Sequence, residues 1–325
     1  MRRVGYGLVA VALAAPLLSL LVFRALPGLD ADLTAYAPHF WNVGGTSLAA
    51  LVACAVVVAS ARSLRETRLL FLSLAFVSIA GIFSVHGLMT PGMLEDHLYA
   101  SLPVSAWLSI IAGSICVALS AIEMPDAIDR AIRRAGGAIF AWSMIAIATY
   151  IVLSLNVDEW LDWVPADNRT VQYGSTVAAT SMFAFGAYRY AQAYLFARLP
   201  SQAAMVVALA LLAEVPPILL WGRTWHLSWW TYHGTYAAAF IVLFAGWALE
   251  ARRAGSLTAI ADALSMRDAL AQLNRGRHAH VLELVDAIEA KDVSTLGHVN
   301  RVSAYALGIG KRLGLSAQEL RAQRA

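Results

Sequence analysis

The chain has 325 residues, of which 59% are hydrophobic and 14% are charged, with a formal net charge of +3. A soluble domain usually carries about twice that charged share, so the composition excludes an ordinary water-soluble protein. The apolar residues fall in blocks of about 20, the length that a helix needs to cross the hydrocarbon layer. The arginines lie at the ends of these blocks, where membrane topology explains them, so the net charge does not indicate nucleic-acid binding.

The apolar blocks predict eight transmembrane helices. They cover approximately residues 4–24, 40–61, 69–88, 101–123, 137–157, 174–196, 202–221 and 234–250. The sixth is the least regular of them, because Arg189 and Gln192 interrupt it. Alternate loops hold nearly all of the loop arginines, so the positive-inside rule places both termini in the cytoplasm. The sequence therefore predicts a multi-pass membrane protein.

The membrane half has five histidines, and all of them lie at or beyond the predicted outer ends of the spans. They are His39, His86, His97, His226 and His233. Neutral imidazoles that converge near one face can bind a transition metal or a haem. The alternative is simple solvation at the membrane interface. His39 and His86 are the preferred candidates for a sensor site, because they are flush with span ends rather than in loops.

An acidic residue, Glu214, lies inside the seventh predicted span, two residues before Pro216 and Pro217. A carboxylate in a span is costly unless it is neutral or paired, and the double proline is expected to break the helix. Arg189 on the preceding span is a conceivable partner. The two residues are therefore further candidates for a sensor site, and the alternative is a packing role for a protonated Glu214.

From Gly255 onward the sequence becomes polar and amphipathic. Apolar residues recur at steps of three and four at Leu257, Ile260, Leu264, Leu270, Leu273, Val281, Leu284 and Ile288. This spacing favours a coiled coil between two protomers over residues 255–290, which would make the protein a homodimer. The alternative is an amphipathic helix that lies against its own domain.

The chain closes with a polar string at the start of a helix predicted from Leu296 to Leu313. The string consists of Asp292, Thr295, His298 and Arg301. Taken alone, a histidine on a helix is more often a structural residue than a ligand. A further helix starts at Ser316 and only a few residues follow it, so we expect the domain to be truncated.

The C-terminal string resembles the beginning of the HD-GYP family, a bacterial branch of the HD phosphohydrolases. The residues that carry the resemblance are Ala290–Asp292, Thr295, Gly297-His298, Arg301-Val302 and Leu313–Leu315. The resemblance implies an all-α hydrolase of cyclic di-GMP that uses iron or manganese. It places His298 at the first metal-ligand position. Glu289 and Asp292 are weaker candidates, and Arg301 would brace a carboxylate or phosphate. The family's His-Asp doublet does not occur in the chain, so these residues alone should be inactive.

Taken together, the sequence predicts an all-α chain of three parts. Residues 1–254 would form an eight-helix membrane sensor, residues 255–283 a helical linker, and residues 284–325 a partial HD-GYP-like domain. The preferred function is a bacterial inner-membrane signalling protein that regulates cyclic di-GMP hydrolysis in the cytoplasm. One alternative is a transporter or channel that uses Glu214 and Arg189. Another is a membrane histidine kinase, with His278, His280 or His298 as the phosphoacceptor.

Overall fold

The computed structural model of the chain describes residues 2–60, 66–94, 100–157 and 159–265, together with residues 305, 309 and 312. The chain divides into two compact units, Met1–Met266 and Arg267–Ala325. In the second unit the described residues Tyr305, Ile309 and Arg312 are helical, and they fall within the helix predicted from Leu296 to Leu313. The HD-GYP-like string of Glu289, Asp292, His298 and Arg301 lies outside the described residues.

The first unit is built from helices, and each of the eight predicted spans falls on one of its first eight. The helices are α1 (Arg2–Ala25), α2 (Tyr36–Ser60), α3 (Thr67–Leu88), α4 (Ser101–Ala121), α5 (Asp126–Asn156), α6 (Arg169–Ala197), α7 (Pro200–Trp221), α8 (Leu227–Ala254) and α9 (Thr258–Ser265). A short 3₁₀ turn, Pro27–Leu29, follows α1. An all-helical architecture is expected, because helices satisfy their own backbone hydrogen bonds inside lipid.

Six of the described helices are long and apolar enough to cross a membrane: α2, α3, α4, α5, α7 and α8. The described apolar part of α1, Val11–Ala25, is shorter than a full span. Helix α6 contains Gln172, Arg189 and Gln192 and is too polar to be included. By the length and composition of its helices, the chain is thus a multi-pass membrane protein. This part of the prediction is confirmed, whereas the number of eight crossings stays a prediction.

Helix α3 lies at the centre of the bundle, where it packs against α2, α4 and α5. Its side chains Leu70, Phe76 and Phe83 are almost completely buried. Helix α7 packs between α6 and α8, and α1 lies against α7 and α8. Helix α5 packs on α3 and leaves most of its surface exposed. An exposed apolar helix of this kind is what a lipid-facing position requires.

Small residues allow the backbones of α7 and α8 to approach closely, as is common between helices in membranes. A Cβ atom placed on Gly246 would overlap the side chain of Ala204 and lie 3.0 Å from the carbonyl oxygen of Pro200. By contrast, a Cβ atom on Gly234, earlier on the same helix, would meet nothing within 4 Å. The α7–α8 contact is therefore tight on the C-terminal half of α8.

The double proline Pro216-Pro217 was expected to break the seventh span, and this expectation is wrong. Helix α7 continues through both residues to Trp221. A proline in a helix removes the hydrogen bond to the carbonyl four residues earlier, which for Pro217 is that of Ala213. The hydroxyl of Thr180 on α6 donates to this carbonyl oxygen at 3.1 Å. A neighbouring helix thus replaces the missing donor and the helix continues.

The two ends of the bundle differ in chemistry. We call the end where α2 and α8 begin and α3 ends the histidine end. The opposite end, the arginine end, carries Arg68 at the start of α3, Arg198 after α6, and Arg252 and Arg253 in the last turn of α8. The positive-inside rule assigns the arginine end to the cytoplasm, and this orientation stays a prediction.

Helix α9 packs against the arginine end of its own bundle. Ile260 and Leu264 are 2% and 0% exposed there. The Gln202 side chain of α7 donates to the carbonyl oxygen of Ala263 at 3.0 Å, and the Tyr190 hydroxyl of α6 donates to that of Leu264 at 3.4 Å. Residues 258–265 therefore form an amphipathic helix that lies against its own domain, which was the alternative to the predicted coiled coil. The remainder of the predicted coiled coil lies outside the described residues, so the homodimer stays a prediction.

Candidate functional site

Three histidines from three helices meet inside the histidine end. His39 lies in the first turn of α2, His86 in the last turn of α3, and His233 in the second turn of α8. Their exposed fractions are 1%, 4% and 0%. One ring nitrogen from each lies within 4.8 Å of the other two. We refer to these three residues as the histidine cluster.

The segment that connects α1 to α2 fixes the start of α8 next to α2. The buried carboxylate of Asp30 accepts hydrogen bonds from the backbone N–H and the hydroxyl of Ser228, each at 2.8 Å. A carboxylate at this position satisfies free N–H groups in the first turn of α8 and complements the helix dipole. The Trp230 indole N–H donates to the carbonyl oxygen of Leu33 at 2.9 Å. These bonds hold the helices of His39 and His233 in register.

Second bonds from the ring nitrogens orient His39 and His86. The Nδ1–H of His86 donates to the backbone carbonyl oxygen of Leu102 at 2.8 Å, and Nδ1 of His39 hydrogen-bonds with the Thr90 hydroxyl at 2.8 Å. Both Nδ1 atoms are thus engaged with surrounding groups. The two Nε2 atoms point at each other across 3.1 Å.

The Nε2 atom of His86 lies within hydrogen-bonding distance of two groups, although a nitrogen of a neutral imidazole can form only one strong hydrogen bond. Because Nδ1 of His86 is the donor to Leu102, Nε2 carries a lone pair when the ring is neutral. The Tyr232 hydroxyl donates to this nitrogen at 3.0 Å, and Nε2 of His39 lies at 3.1 Å. A single lone pair therefore faces two groups. A cation between the nitrogens would use both of the converging ring atoms.

His233 has unused hydrogen-bonding capacity. It is completely buried, and neither of its ring nitrogens has a hydrogen-bond partner among the described residues. The backbone of Trp229, one turn earlier, is close enough to influence the ring electrostatically, but no hydrogen bond of normal geometry joins them. Buried polar groups without partners are uncommon, because each costs about 1–3 kcal/mol. A group of this kind that faces two other histidines indicates a binding site.

Aromatic rings enclose the histidine cluster. The Trp229 ring stacks on His39 with 5.1 Å between ring centroids, and it approaches His233 at 4.3 Å. The Trp225 ring contacts His39 at 5.3 Å, and its residue has a φ angle of 63°. That left-handed backbone conformation costs a non-glycine residue about 1–3 kcal/mol. The surrounding contacts hold it in place, among them the 2.6 Å bond from the Leu33 N–H to the Trp225 carbonyl oxygen.

A cavity of about 340 Å³ lies against one side of the histidine cluster. His86 and Tyr232 form part of its wall on the cluster side. Asp167, Arg169 and Gln172, at the start of α6, contribute polar groups to its lining. The cavity is only partly enclosed, so it connects the edge of the cluster with the surface of the histidine end.

The predicted pair of Glu214 and Arg189 does not form. The Arg189 guanidinium instead donates to the Glu123 carboxylate after α4, with a nitrogen–oxygen distance of 2.8 Å. The Glu214 carboxyl lies against the backbone of Leu17 on α1, and its Oε2 has no hydrogen-bond partner among the described residues. The predicted pair does not form because the two residues lie at different depths. Arg189 lies toward the arginine end of α6, whereas Glu214 lies toward the histidine end of α7. Neither residue belongs to the histidine cluster.

The structure thus brings together two of the four predicted sensor residues, His39 and His86, and adds His233. His233 was noted in the sequence but not preferred, because only His39 and His86 were considered flush with span ends; the structure places His233 inside α8. His226 lies apart from the cluster, and its Nδ1 bonds with the Thr224 carbonyl oxygen. His97, His278 and His280 lie outside the described residues.

Comparison with known proteins assigns no family to this chain. It matches no protein-family model, and no curated protein or solved structure is significantly similar to it.

Proposed function

We propose that the chain is a membrane-bound signalling protein in which the helical bundle regulates a cytoplasmic HD-GYP-type cyclic di-GMP phosphodiesterase. The input would be received at the histidine cluster. The output would be the domain that begins within residues 284–325, in the cytoplasm of a bacterial cell beneath the inner membrane. One observation carries the proposal: helix α8 joins the histidine cluster directly to the segment that precedes the HD-GYP-like string.

Helix α8 is continuous from Leu227 to Ala254. It holds His233 near its start and Glu250 near its end, about 25 Å further along at 1.5 Å per residue. The Glu250 carboxylate accepts hydrogen bonds from the backbone N–H and the hydroxyl of Ser201, at 3.2 and 3.0 Å. A displacement of α8 at the histidine cluster would therefore reach the start of α7 and the arginine end.

Helix α9 follows α8 after Gly255, whose φ of 68° ends the longer helix. It is held by two side-chain bonds to its last carbonyl groups, from Gln202 and Tyr190. Each of these bonds is neutral and worth about 1 kcal/mol. Together with the burial of Ile260 and Leu264 these bonds hold α9 on the bundle. A movement of α7 or α8 that disturbs these contacts would shift α9, which is the kind of two-state element that signalling requires.

The proposed output chemistry rests on the resemblance of residues 284–325 to the HD-GYP family. In this proposal His298 is the first ligand of an iron or manganese centre, with Glu289 and Asp292 as weaker candidates. Adjacent metal ions of this kind activate water and neutralise the charge of a phosphodiester. Arg301, one turn after His298, would brace a carboxylate or a phosphate.

The test is a hydrolysis assay on the full protein, and it also bears on the His-Asp doublet of the family, which does not occur in residues 1–325. The protein is purified in detergent, supplied with iron or manganese, and incubated with cyclic di-GMP. We expect hydrolysis that His298→Ala abolishes and that His226→Ala leaves unchanged. Absence of hydrolysis with either metal, or full activity of the His298 variant, contradicts the proposal.

A second assay tests regulation rather than chemistry. Substitution of Gln202 by alanine removes one of the two bonds that hold α9, so we expect it to change the hydrolysis rate of an otherwise intact protein. Gln192→Ala is the matched control, since among the described residues the Gln192 amide donates to the Tyr188 hydroxyl and not to α9. Equal rates for the two variants and the unmodified protein would show that α9 does not transmit the signal.

A further inference from the structure

We infer that the histidine cluster binds a single transition-metal ion through His39, His86 and His233, and that the ion is copper. This inference goes beyond the proposed signalling function, because such a site can exist whatever output follows it. It rests on the geometry of the converging nitrogens, the fixed orientation of two rings, the unpartnered third ring and the charge of the surroundings.

The distance between the first two ligand atoms fits a shared ion. Metal–imidazole bonds of roughly 2.0–2.1 Å at a tetrahedral ion place two nitrogens about 3.3 Å apart. The Nε2 atoms of His39 and His86 are 3.1 Å apart. The third nitrogen, from His233, lies within 4.8 Å of both. Binding would therefore require the His233 nitrogen to move inward by up to about 1.5 Å.

The outer contacts of the rings are those of metal ligands. Histidines that bind metals usually donate their second ring N–H to a carbonyl, carboxylate or water, which fixes the ring and raises its basicity. His86 donates in this way to the Leu102 carbonyl oxygen, and His39 bonds with Thr90. Both rings are thus already oriented with Nε2 toward the cluster. The buried, unpartnered His233 supplies the third donor without breaking an existing hydrogen bond.

The donor set selects the class of metal. Imidazole nitrogens suit zinc, copper, iron and nickel, whereas magnesium and calcium require oxygen ligands. Among the described residues no carboxylate or thiolate joins the cluster. The full charge of a bound ion would therefore remain uncompensated in a buried site.

Copper fits this uncompensated site best. The cost of burying an ion rises with the square of its charge, so monovalent copper is cheaper to bury than any divalent ion. The Tyr232 hydroxyl, 3.0 Å from Nε2 of His86, lies beside the coordination sphere.

A haem does not fit the same residues. Two axial histidines must lie on opposite faces of the macrocycle, with the iron and the ring between them. In the histidine cluster the His39 and His86 rings are 4.9 Å apart between centroids and almost perpendicular. Trp229 stacks against His39 on another side. The available space accommodates an ion but not a macrocycle.

The cavity beside the cluster supplies a route for the ion. It borders His86 and Tyr232 at its inner wall, and Asp167 is part of its lining. A carboxylate in the lining attracts a cation, and the cavity leads from there to the edge of the coordinating rings. The lining also includes the guanidinium of Arg169, whose positive charge partly offsets that of Asp167, and the amide of Gln172.

The experiment is a metal titration of the full chain in detergent. The protein is stripped with a chelator and titrated without oxygen with Cu(I) against a coloured competing ligand, and separately with Zn²⁺ and Mg²⁺. We expect one Cu(I) per chain, weaker binding of Zn²⁺ and none of Mg²⁺. X-ray absorption at the copper edge should show a first shell of three imidazole nitrogens.

Variants distinguish the histidine cluster from adventitious binding. His39→Ala, His86→Ala and His233→Phe should each lower the affinity for Cu(I) by at least about 100-fold, and Thr90→Val, which removes an outer contact, by about tenfold. His226→Ala is the matched control, a histidine at the same end but outside the cluster, and it should bind as the unmodified protein does. Circular dichroism and melting in detergent establish that each variant is folded.

Three results would overturn the inference. The first is binding of less than half an equivalent of every ion. The second is a His233→Phe variant that is folded and still binds copper normally. The third is tighter binding of Zn²⁺ than of Cu(I), which would overturn the assignment of copper. None of these measurements uses hydrolysis of cyclic di-GMP, so failure here is distinguishable from failure of the proposed output.

Discussion

At the arginine end of the bundle, buried polar side chains bond to the backbone of neighbouring helices: Glu250 to the start of α7, and Gln202 and Tyr190 to the end of α9. At the histidine end, the rings of three helices face one another, and His233 bonds with no described residue. Both ends bury polar groups that bond to the chain's own peptide groups, but at the histidine end both ring nitrogens of His233 are without a hydrogen-bond partner among the described residues. Bonds of the first kind stabilise a fold, whereas unused capacity of the second kind is typical of a site that binds something.

The largest effect is expected where α7 and α8 approach near the arginine end. Substitution of Gly246 by alanine would place a methyl group against Ala204 and the Pro200 carbonyl, so the free energy of unfolding should fall by about 1–3 kcal/mol. Unfolding by SDS in mixed micelles measures it. Gly234→Ala on the same helix meets open space and should be neutral or slightly stabilising, because alanine favours helix by up to about 1 kcal/mol. Equal effects of the two substitutions would disprove the tight contact.

Next in size is the loss of the Glu250 carboxylate. Glu250→Ala leaves the Ser201 N–H and hydroxyl without their acceptor, and each unsatisfied buried donor costs about 1–3 kcal/mol. We expect a total loss of about 2 kcal/mol, because two donors lose their acceptor but the serine hydroxyl can rotate to another one. Glu250→Gln keeps one oxygen acceptor and should lose less. The same SDS titration compares the two variants, and a Glu250→Ala protein as stable as the unmodified one would contradict the role assigned to this residue.

At the histidine end, two substitutions of the same kind should have opposite effects on the metal-free protein. His86→Phe removes the partners of the Leu102 carbonyl and the Tyr232 hydroxyl, so stability should fall by about 1–2 kcal/mol. His233→Phe removes a buried group that bonds with no described residue, so stability should stay equal or rise by up to about 1 kcal/mol. Melting of chelator-treated protein measures both. A large loss for His233→Phe would show that this ring serves the fold.

The smallest effect concerns the attachment of α9. Gln202→Ala removes one neutral hydrogen bond, worth about 1 kcal/mol, so amides of α9 should exchange with deuterium about fivefold faster. Gln192→Ala should leave the exchange of α9 unchanged. Mass spectrometry of peptides that cover Thr258–Ser265 provides the measurement. Unchanged exchange in the Gln202 variant would mean that apolar burial of Ile260 and Leu264 alone holds the helix.

Much of the bundle is readable from the sequence because each feature is local. Blocks of apolar residues locate the helices, most closely for α3, predicted at 69–88 and observed at Thr67–Leu88. Polar first turns are missed, as in α5, predicted from residue 137 and observed from Asp126. The interrupted sixth span was the least regular in the sequence, and α6 is indeed too polar for inclusion among the six apolar helices. These properties depend only on residues adjacent in the chain.

Other features depend on which helices become neighbours. The spacing of Ile260 and Leu264 predicts a buried face, but the same spacing serves a second protomer or the protein's own bundle equally well. The double proline predicts a broken helix, and only the position of Thr180 on α6 reveals that Ala213 keeps a partner. In the same way Arg189 pairs with Glu123 rather than Glu214, because relative depth is set by packing.

By itself the sequence determined that this is a multi-pass helical membrane protein, since hydrocarbon admits only apolar segments with internally satisfied backbones. It also placed most of the loop arginines at the end opposite the histidines of the membrane half. It also placed His39 and His86 at the same end. Only the tertiary structure decided that His233 completes the cluster and that α9 binds its own bundle. The physical reason is that helix packing in membranes depends on close fit between distant segments, which leaves no local signal in the chain.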